Sequence, residues 1–193
     1  MLRPAMHYRW NFNGFNLAFI RNEFIAGLAS DPDSNAASEL FEFASARIRK
    51  TTSSLGITTQ SIPLIEQSYT EFLHLFSDHL KKMPYILGGN PTIADYGFMA
   101  PLYAHLSRDP YPSMQMRKTA PEVLRWVERM NAPEQSTVGY GKINQDLLSK
   151  HSIPQSLKCL MQYISQEFLA EITAHVEFAN QWIDSHPRFN HGK

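Results

Sequence analysis

The stretch Leu87-Gly88-Gly89-Asn90-Pro91-Thr92-Ile93-Ala94-Asp95 decides how the chain reads. Two glycines followed by Asn-Pro punctuate a turn. Thr92 then stands before an apolar run with a carboxylate three positions on, which is the pattern of a capping box. The hydroxyl can accept from the N–H of Asp95, and the carboxylate can reach back to the N–H of Thr92. Pro91 and Tyr96 flank this cap as an apolar staple, so a helix is expected to start at Ile93. From there to Leu106 nearly every residue is apolar (Ile93, Ala94, Phe98, Met99, Ala100, Leu102, Leu106). That composition predicts a helix enclosed on several sides rather than one lying on a surface. Pro101 removes one backbone donor inside it and predicts a kink.

Working outward, Ser61 to Leu80 places Ile62, Ile65, Tyr69, Phe72, Leu73, Phe76 and Leu80 on one helical stripe, with Pro63 tolerated in the first turn. Before it, a helix is expected from Gly14 to Leu28, lined by Phe15, Phe19, Phe24 and Leu28. A second follows the Asp31-Pro32-Asp33-Ser34 loop, with Leu40, Phe43, Ala44, Arg47 and Ile48 at helical spacing. Downstream, Arg108 to Pro112 reads as irregular because two prolines bracket Tyr111. Pro121 opens a helix carrying Val123, Trp126, Val127 and Met130. Asn131 to Gly141 reads as a loop, and Lys142 to Lys150 as a short helix. Beyond Pro154 a stripe of Leu157, Leu160, Met161, Ile164, Phe168, Ile172, Val176, Ala179 and Ile183 predicts one long helix. No segment alternates with period two between turns, as a sheet would require. The chain therefore reads as one all-α domain over 1–193. It comprises a helical lead-in at 1–60, core helices at 61–131, additional helices at 142–185 and a tail at 186–193.

A hydrophobic content of 43% in 193 residues suffices for a core. Eighteen cationic side chains against eighteen acidic ones leave no net positive charge to release counterions from nucleic acid, which is not an expected partner. Cys159 lies within an apolar-periodic stretch, where a buried inert thiol is the default reading, and one cysteine forms no internal disulfide. The first ten residues hold Arg3, His7 and Arg9 and no signal-peptide apolar core. No run reaches the roughly 18 apolar residues of a membrane span. A cytoplasmic setting is expected, with no membrane partner. His74 and His79 are five apart, not at the four-residue spacing that puts two ligands on one helical face, so no metal site is expected.

The nine-residue string at 87–95, placed after a long amphipathic helix and before an apolar one, resembles the segment that opens the central helix in the C-terminal, all-helical domain of glutathione S-transferases. The similarity runs from about Ser61 to Met130, and the long helix after Pro154 is additional to it. The resemblance implies a helical bundle in which Thr92 and Asp95 are a structural cap. It implies a role as the wall of an apolar substrate pocket and as part of a homodimer interface. In that family a thioredoxin-like domain binds glutathione and supplies the residue that activates its thiol. Residues 1–60 carry no strand-turn-strand pattern, so no catalytic residue is carried over and no cofactor is assigned to this chain. Glutathione enters as co-substrate only with a thioredoxin-like domain, and the isolated chain is expected to be inactive. The alternative is a non-catalytic helical binding or assembly module.

Candidate ligand contacts fall in two places. His7-Tyr8-Arg9-Trp10 combines aromatic rings with a cation, which suits a conjugated or electrophilic apolar ligand. The family's architecture places the chain leading into this domain beside the substrate pocket. The same rings could instead pack on the helical core or a partner subunit. His105 and Arg108, with Asp109, follow the apolar helix and could position an anion, or form an ion-paired loop that closes the helix.

Overall fold

The computed structural model describes residues 1–28, 31, 34–132, 139, 140, 147–149 and 151–186. Its helices are α1 (Leu2–Trp10), α2 (Gly14–Leu28), α3 (Asn35–Thr52), α4 (Ile62–Leu80), α5 (Ile93–Pro101), α6 (Pro110–Thr119), α7 (Pro121–Met130) and α8 (Gln155–Ser185). Among the described residues there is no strand, only isolated bridges from Gly88 to Tyr85 and Leu147. The expected short helix at 142–150 lies mostly outside the described residues. Leu147–Ser149, which are described, are not helical, and the Leu148 N–H donates to the Leu87 carbonyl at 2.8 Å.

α4 is the axis of the body. Its stripe of Tyr69, Phe72, Leu73, Phe76 and Leu80 is fully buried and meets α1, α6, α7 and the first half of α8. The edge of Trp126 on α7 abuts Phe76, with ring centroids 5.0 Å apart. Leu157, Leu160 and Tyr163 of α8 complete the core from the other side. A second, smaller core joins Trp10 of α1 to Ile20 and Ile25 of α2 and Ala37 and Phe41 of α3.

The cap at Thr92 forms, and it does more than start a helix. Asp95 is wholly buried. Its Oδ2 accepts from the N–H and the hydroxyl of Thr92, each at 2.9 Å, and its Oδ1 accepts from the Ile86 N–H and Trp126 Nε1–H, each at 3.0 Å. One carboxylate thus ties the 85–91 turn, α5 and α7 together. Buried charge is tolerated here because the donors replace the hydration it lost.

α1 belongs to the helical lead-in, and its aromatics are buried, as in the alternative in which they pack on the core. Several other expectations are corrected. Pro110 and Pro112 open α6 instead of preventing it, because first-turn N–H groups have no partner within the helix in any case. α2 turns Asn16, Ile20 and Ile25 inward and leaves Phe15 and Leu28 exposed; α3 buries Ala37, Phe41 and Ser45 and exposes Leu40 and Phe43. In both helices apolar residues lie on more than one face, so periodicity did not single out the packed one. α5 is not enclosed either: Ile93 is 89% exposed. Pro101 does disturb the ladder, since Leu102–Leu106 form a π-helical turn in which the Ser107 N–H reaches back five residues to Leu102. Cys159 is half-buried, and Met161 is exposed.

Candidate functional site

α1 delivers its side chains to two different places. On one side, Tyr8 is buried among Tyr69, Phe12 and Tyr111, with its hydroxyl 3.4 Å from Gln115 Oε1. Burial, then the nearby Glu66 and Tyr111, pushes its phenol well above the ordinary value, so it stays a neutral core group. His7 beside it is also buried and pairs through Nε2 with Glu66 at 2.9 Å. Tyr8 therefore stands apart from the other candidate contacts.

On the opposite side, Arg9 and Trp10 line a cleft of ≈ 290 Å³ together with Phe19, Phe24, Ala104 and Arg108. The Arg9 guanidinium grips both carboxylate oxygens of the buried Asp109, at 2.6 and 3.0 Å, and also donates to the Ala104 carbonyl at 3.3 Å. This bidentate pair fixes the guanidinium's plane. Asp109 is thus paired with α1, not with the adjacent Arg108 as the loop-closing alternative had it. Arg108 swings out to Glu23 on α2 at a loose 3.6 Å, with both side chains more than half exposed. His105 is half-buried behind this pair. Burial, and next the Arg9 charge, lowers its pKa, and its Nδ1 has no hydrogen-bond partner. Three of the five candidate contacts, Arg9, Trp10 and Arg108, meet at one cleft. His105 lies beside it and Tyr8 faces the core.

The wall supplied by α2 was not foreseen. Phe19, Ile20, Glu23 and Phe24 form one helical face toward the cleft, a signal present in their i, i+1, i+4, i+5 spacing but masked by Phe15 and Leu28. Chemically the cleft offers three aromatic side chains, Trp10, Phe19 and Phe24, a fixed guanidinium and a second, adjustable one. It suits a flat apolar group bearing an anionic substituent.

A larger groove, ≈ 630 Å³, opens on the far side between the start of α1, the 54–56 turn, α4 and α8. Its apolar lining includes Leu55, Leu64 and Phe168. Its rim carries Glu71, Glu167 and Glu171 against Arg3, which is already bound to Glu171 at 2.8 Å. The excess of carboxylates disfavours an anion such as a glutathione conjugate there. None of the five candidate contacts lines it. Among the described residues no three His, Cys, Asp or Glu side chains converge as a metal site. Among the described residues no helix is long and apolar enough to cross a membrane.

The hub at Asp95 and the apolar α4 axis define an all-helical domain in which the capped α5 is tied to a body built on α4. Residues 66–134, from within α4 to beyond α7, match the family model described as glutathione S-transferase, C-terminal domain. Comparison with curated proteins and with solved structures gives no match.

Proposed function

We propose that this domain is the substrate-wall half of a glutathione S-transferase-like protein, and that the cleft of Arg9, Trp10, Phe19, Phe24 and Arg108 receives the apolar, electrophilic end of the substrate. The observation that carries this reading is the exposed face of α5. Ile93, Tyr96, Gly97 and Ala100 are all exposed, carry no charge and fall in one line, and Ala104 continues that line into the rim of the cleft. A capped helix that turns an uncharged, partly apolar stripe to solvent is expected to be covered by a partner. A thioredoxin-like domain seated on that stripe would roof the cleft and bring a bound glutathione thiolate to a substrate held there. On this reading the isolated chain does not conjugate glutathione, and glutathione is a co-substrate supplied by the other domain.

The test uses S-(2,4-dinitrophenyl)glutathione, an aryl group joined to carboxylates, titrated against the chain by isothermal titration calorimetry. Binding should weaken at least roughly tenfold in Ala104→Trp, which fills the cleft, and severalfold in Arg108→Ala, which removes the adjustable cation. Wild-type affinity in both variants would remove the cleft from the site. Turnover of glutathione with an aryl halide by the isolated chain, above a buffer blank, would overturn the division of labour. The assembly reading has its own support, because a long apolar face of α8 stands clear of the body. Dimerisation is therefore kept as part of the proposal.

A further inference from the structure

α8 lies antiparallel on α4. The Ser156 hydroxyl meets His79 near the end of α4 at 3.1 Å, and Tyr163, two turns further along α8, meets Ser68, three turns back along α4. The Ser68 hydroxyl also lies 2.9 Å from Glu167 Oε2. One turn beyond, Arg3 of α1 reaches across: its Nε–H donates to the Leu55 carbonyl at 2.7 Å, and its Nη2 pairs with Glu171 at 2.8 Å. That guanidinium straps the start of α1, the 54–56 turn and α8 together, and the space they enclose with α4 is the groove of ≈ 630 Å³. Its volume falls in the range of about 300–1,000 Å³ typical of small-molecule sites.

The lining says what kind of molecule fits. Leu64, Ser68 and Glu71 of α4 fall at spacings of four and three beside the buried stripe, so one helical face looks into the groove, and Glu167, Phe168 and Glu171 of α8 look in from the other side. Leu64 is 66% exposed there, an apolar side chain held open to water. With Leu55 and Phe168 it offers a surface for an apolar body. Of the three carboxylates, Glu171 is neutralised by Arg3, while Glu71 and Glu167 form no ion pair among the described residues. Burial, then the Arg3 charge, pushes the Met1 amine down to about 6, so it is uncharged at pH 7.5 and does not offset them. His175 stands at the outer end of the groove. Two uncompensated carboxylates beside apolar walls attract a cation and repel an anion. Each such pair, exposed to water, is weak, so the apolar body supplies most of the affinity and the charge supplies the selectivity. A bare polyamine would leave the apolar walls unfilled. The cleft at Arg9 and Arg108, on the other side of α1, has the opposite charge and the opposite preference.

We propose that this groove is a second ligand site, separate from the cleft, which binds an organic ammonium ion with an aryl or alkyl body: the body against Leu55, Leu64 and Phe168, the cation held by Glu71 and Glu167. Equilibrium dialysis of the full chain at pH 7.5 tests it with three probes that share a naphthyloxy body. Propranolol carries a secondary ammonium, 3-(1-naphthyloxy)propane-1,2-diol has a hydroxyl in its place, and 1-naphthyloxyacetate is an anion. The amine should bind roughly tenfold more tightly than the diol, and the anion more weakly than either. The double variant Glu71→Gln, Glu167→Gln keeps side-chain size and an acceptor for Ser68, so its thermal midpoint should hold; it should bring the amine down to the level of the diol and leave the diol unchanged. Raising NaCl from about 0.05 to 0.5 M should weaken the amine alone, because only its binding is ionic. Phe168→Ala should weaken amine and diol alike, severalfold, and Ala104→Trp in the cleft should alter neither. Amine binding that equals the diol's, or that survives the double variant, overturns the proposal. So does a loss of amine binding in Ala104→Trp, which would move the ligand to the cleft, or spermidine binding as tightly as propranolol, which would make the groove a site for polycations. No binding of the amine up to millimolar concentration overturns the groove as a ligand site, while the cleft is judged by the dinitrophenyl conjugate alone.

Discussion

The two halves of α8 have the same periodicity and opposite surroundings. Leu157, Leu160 and Tyr163 are buried against α4, and the Tyr163 hydroxyl donates to the Ser68 carbonyl at 2.9 Å; burial first, offset by its contact with Ser68, pushes its pKa up to about 12. Further along the same helix, Ile172 and Val176 continue an apolar line into solvent. A sequence pattern specifies that a face is to be covered. It does not specify by what, since the same kinds of side chain line intramolecular cores and intermolecular seams alike.

The largest effect should come from the point where the covered region is tied together. Asp95→Ala strands the buried donors of Ile86 and Trp126 and removes the cap of α5. At roughly 1–3 kcal/mol for each stranded donor and about 1 for the cap, it should cost roughly 3–7 kcal/mol, enough to unfold a domain of ordinary stability. Urea denaturation followed by circular dichroism measures it, and a loss below about 1 kcal/mol would mean that Asp95 is no hub. Leu160→Ala comes next. It opens a cavity between α8 and α4 and should cost about 2–5 kcal/mol in the same assay. If that loss were near zero, the first half of α8 would be no more a part of the body than the second.

A third test sharpens the boundary of the body through pH. His79 is buried where α4 meets the start of α8. Its Nε2–H donates to the Ile86 carbonyl at 3.0 Å, and its Nδ1 accepts from the Ser156 hydroxyl at 3.1 Å. Burial is the largest cause of its lowered pKa, opposed by the Tyr85 and Ile86 carbonyls. The unfolded chain therefore takes up a proton near the ordinary value of 6.5 before the folded one does. The contribution to stability is complete above that value, falls as pH drops below it, and stops falling once the folded histidine is protonated too. Denaturant midpoints at pH 7.5 and 5.5 should differ more in the wild type than in His79→Gln. Equal differences would show that the neutral ring plays no part in docking α8.

How much of this was legible in advance depended on whether a residue's partner is local. The cap of α5 is written within four residues, so Thr92 and Asp95 could be read directly, and so could the single stripe of α4. Asp95's links to Ile86 and Trp126 span turns and helices that no spacing rule relates. The cleft shows the same division. Arg9, Trp10 and Arg108 were recognisable as types of side chain suited to a ligand. Tyr8, one residue from Arg9, turns to the opposite side of α1, and only the packing of α1 on α4 decides that. α2 and α3 were read as helices but with the wrong inner faces, because Phe15, Leu40 and Phe43 compete with the buried set in hydrophobicity. α6 was missed because prolines were read as breakers at positions where they are starters.

The smallest expected effect is the one that separates the two halves of α8 most sharply. Ile172→Ala removes as many carbon atoms from an isoleucine as a core truncation would, but the side chain is already more than half in water and no buried residue closes around it. Measured in dilute solution, where any dimer has dissociated, the change in unfolding free energy should stay within about 0.5 kcal/mol, as for surface positions generally. Alanine's higher helix propensity offsets part of the lost apolar contact. A loss of about 2 kcal/mol under those conditions would place Ile172 against this chain's own core, and the comparison between the covered and the projecting half would fail. A loss that appears only as protein concentration rises would locate the missing contacts in a second molecule, because stability gained by association depends on concentration and stability gained by folding does not.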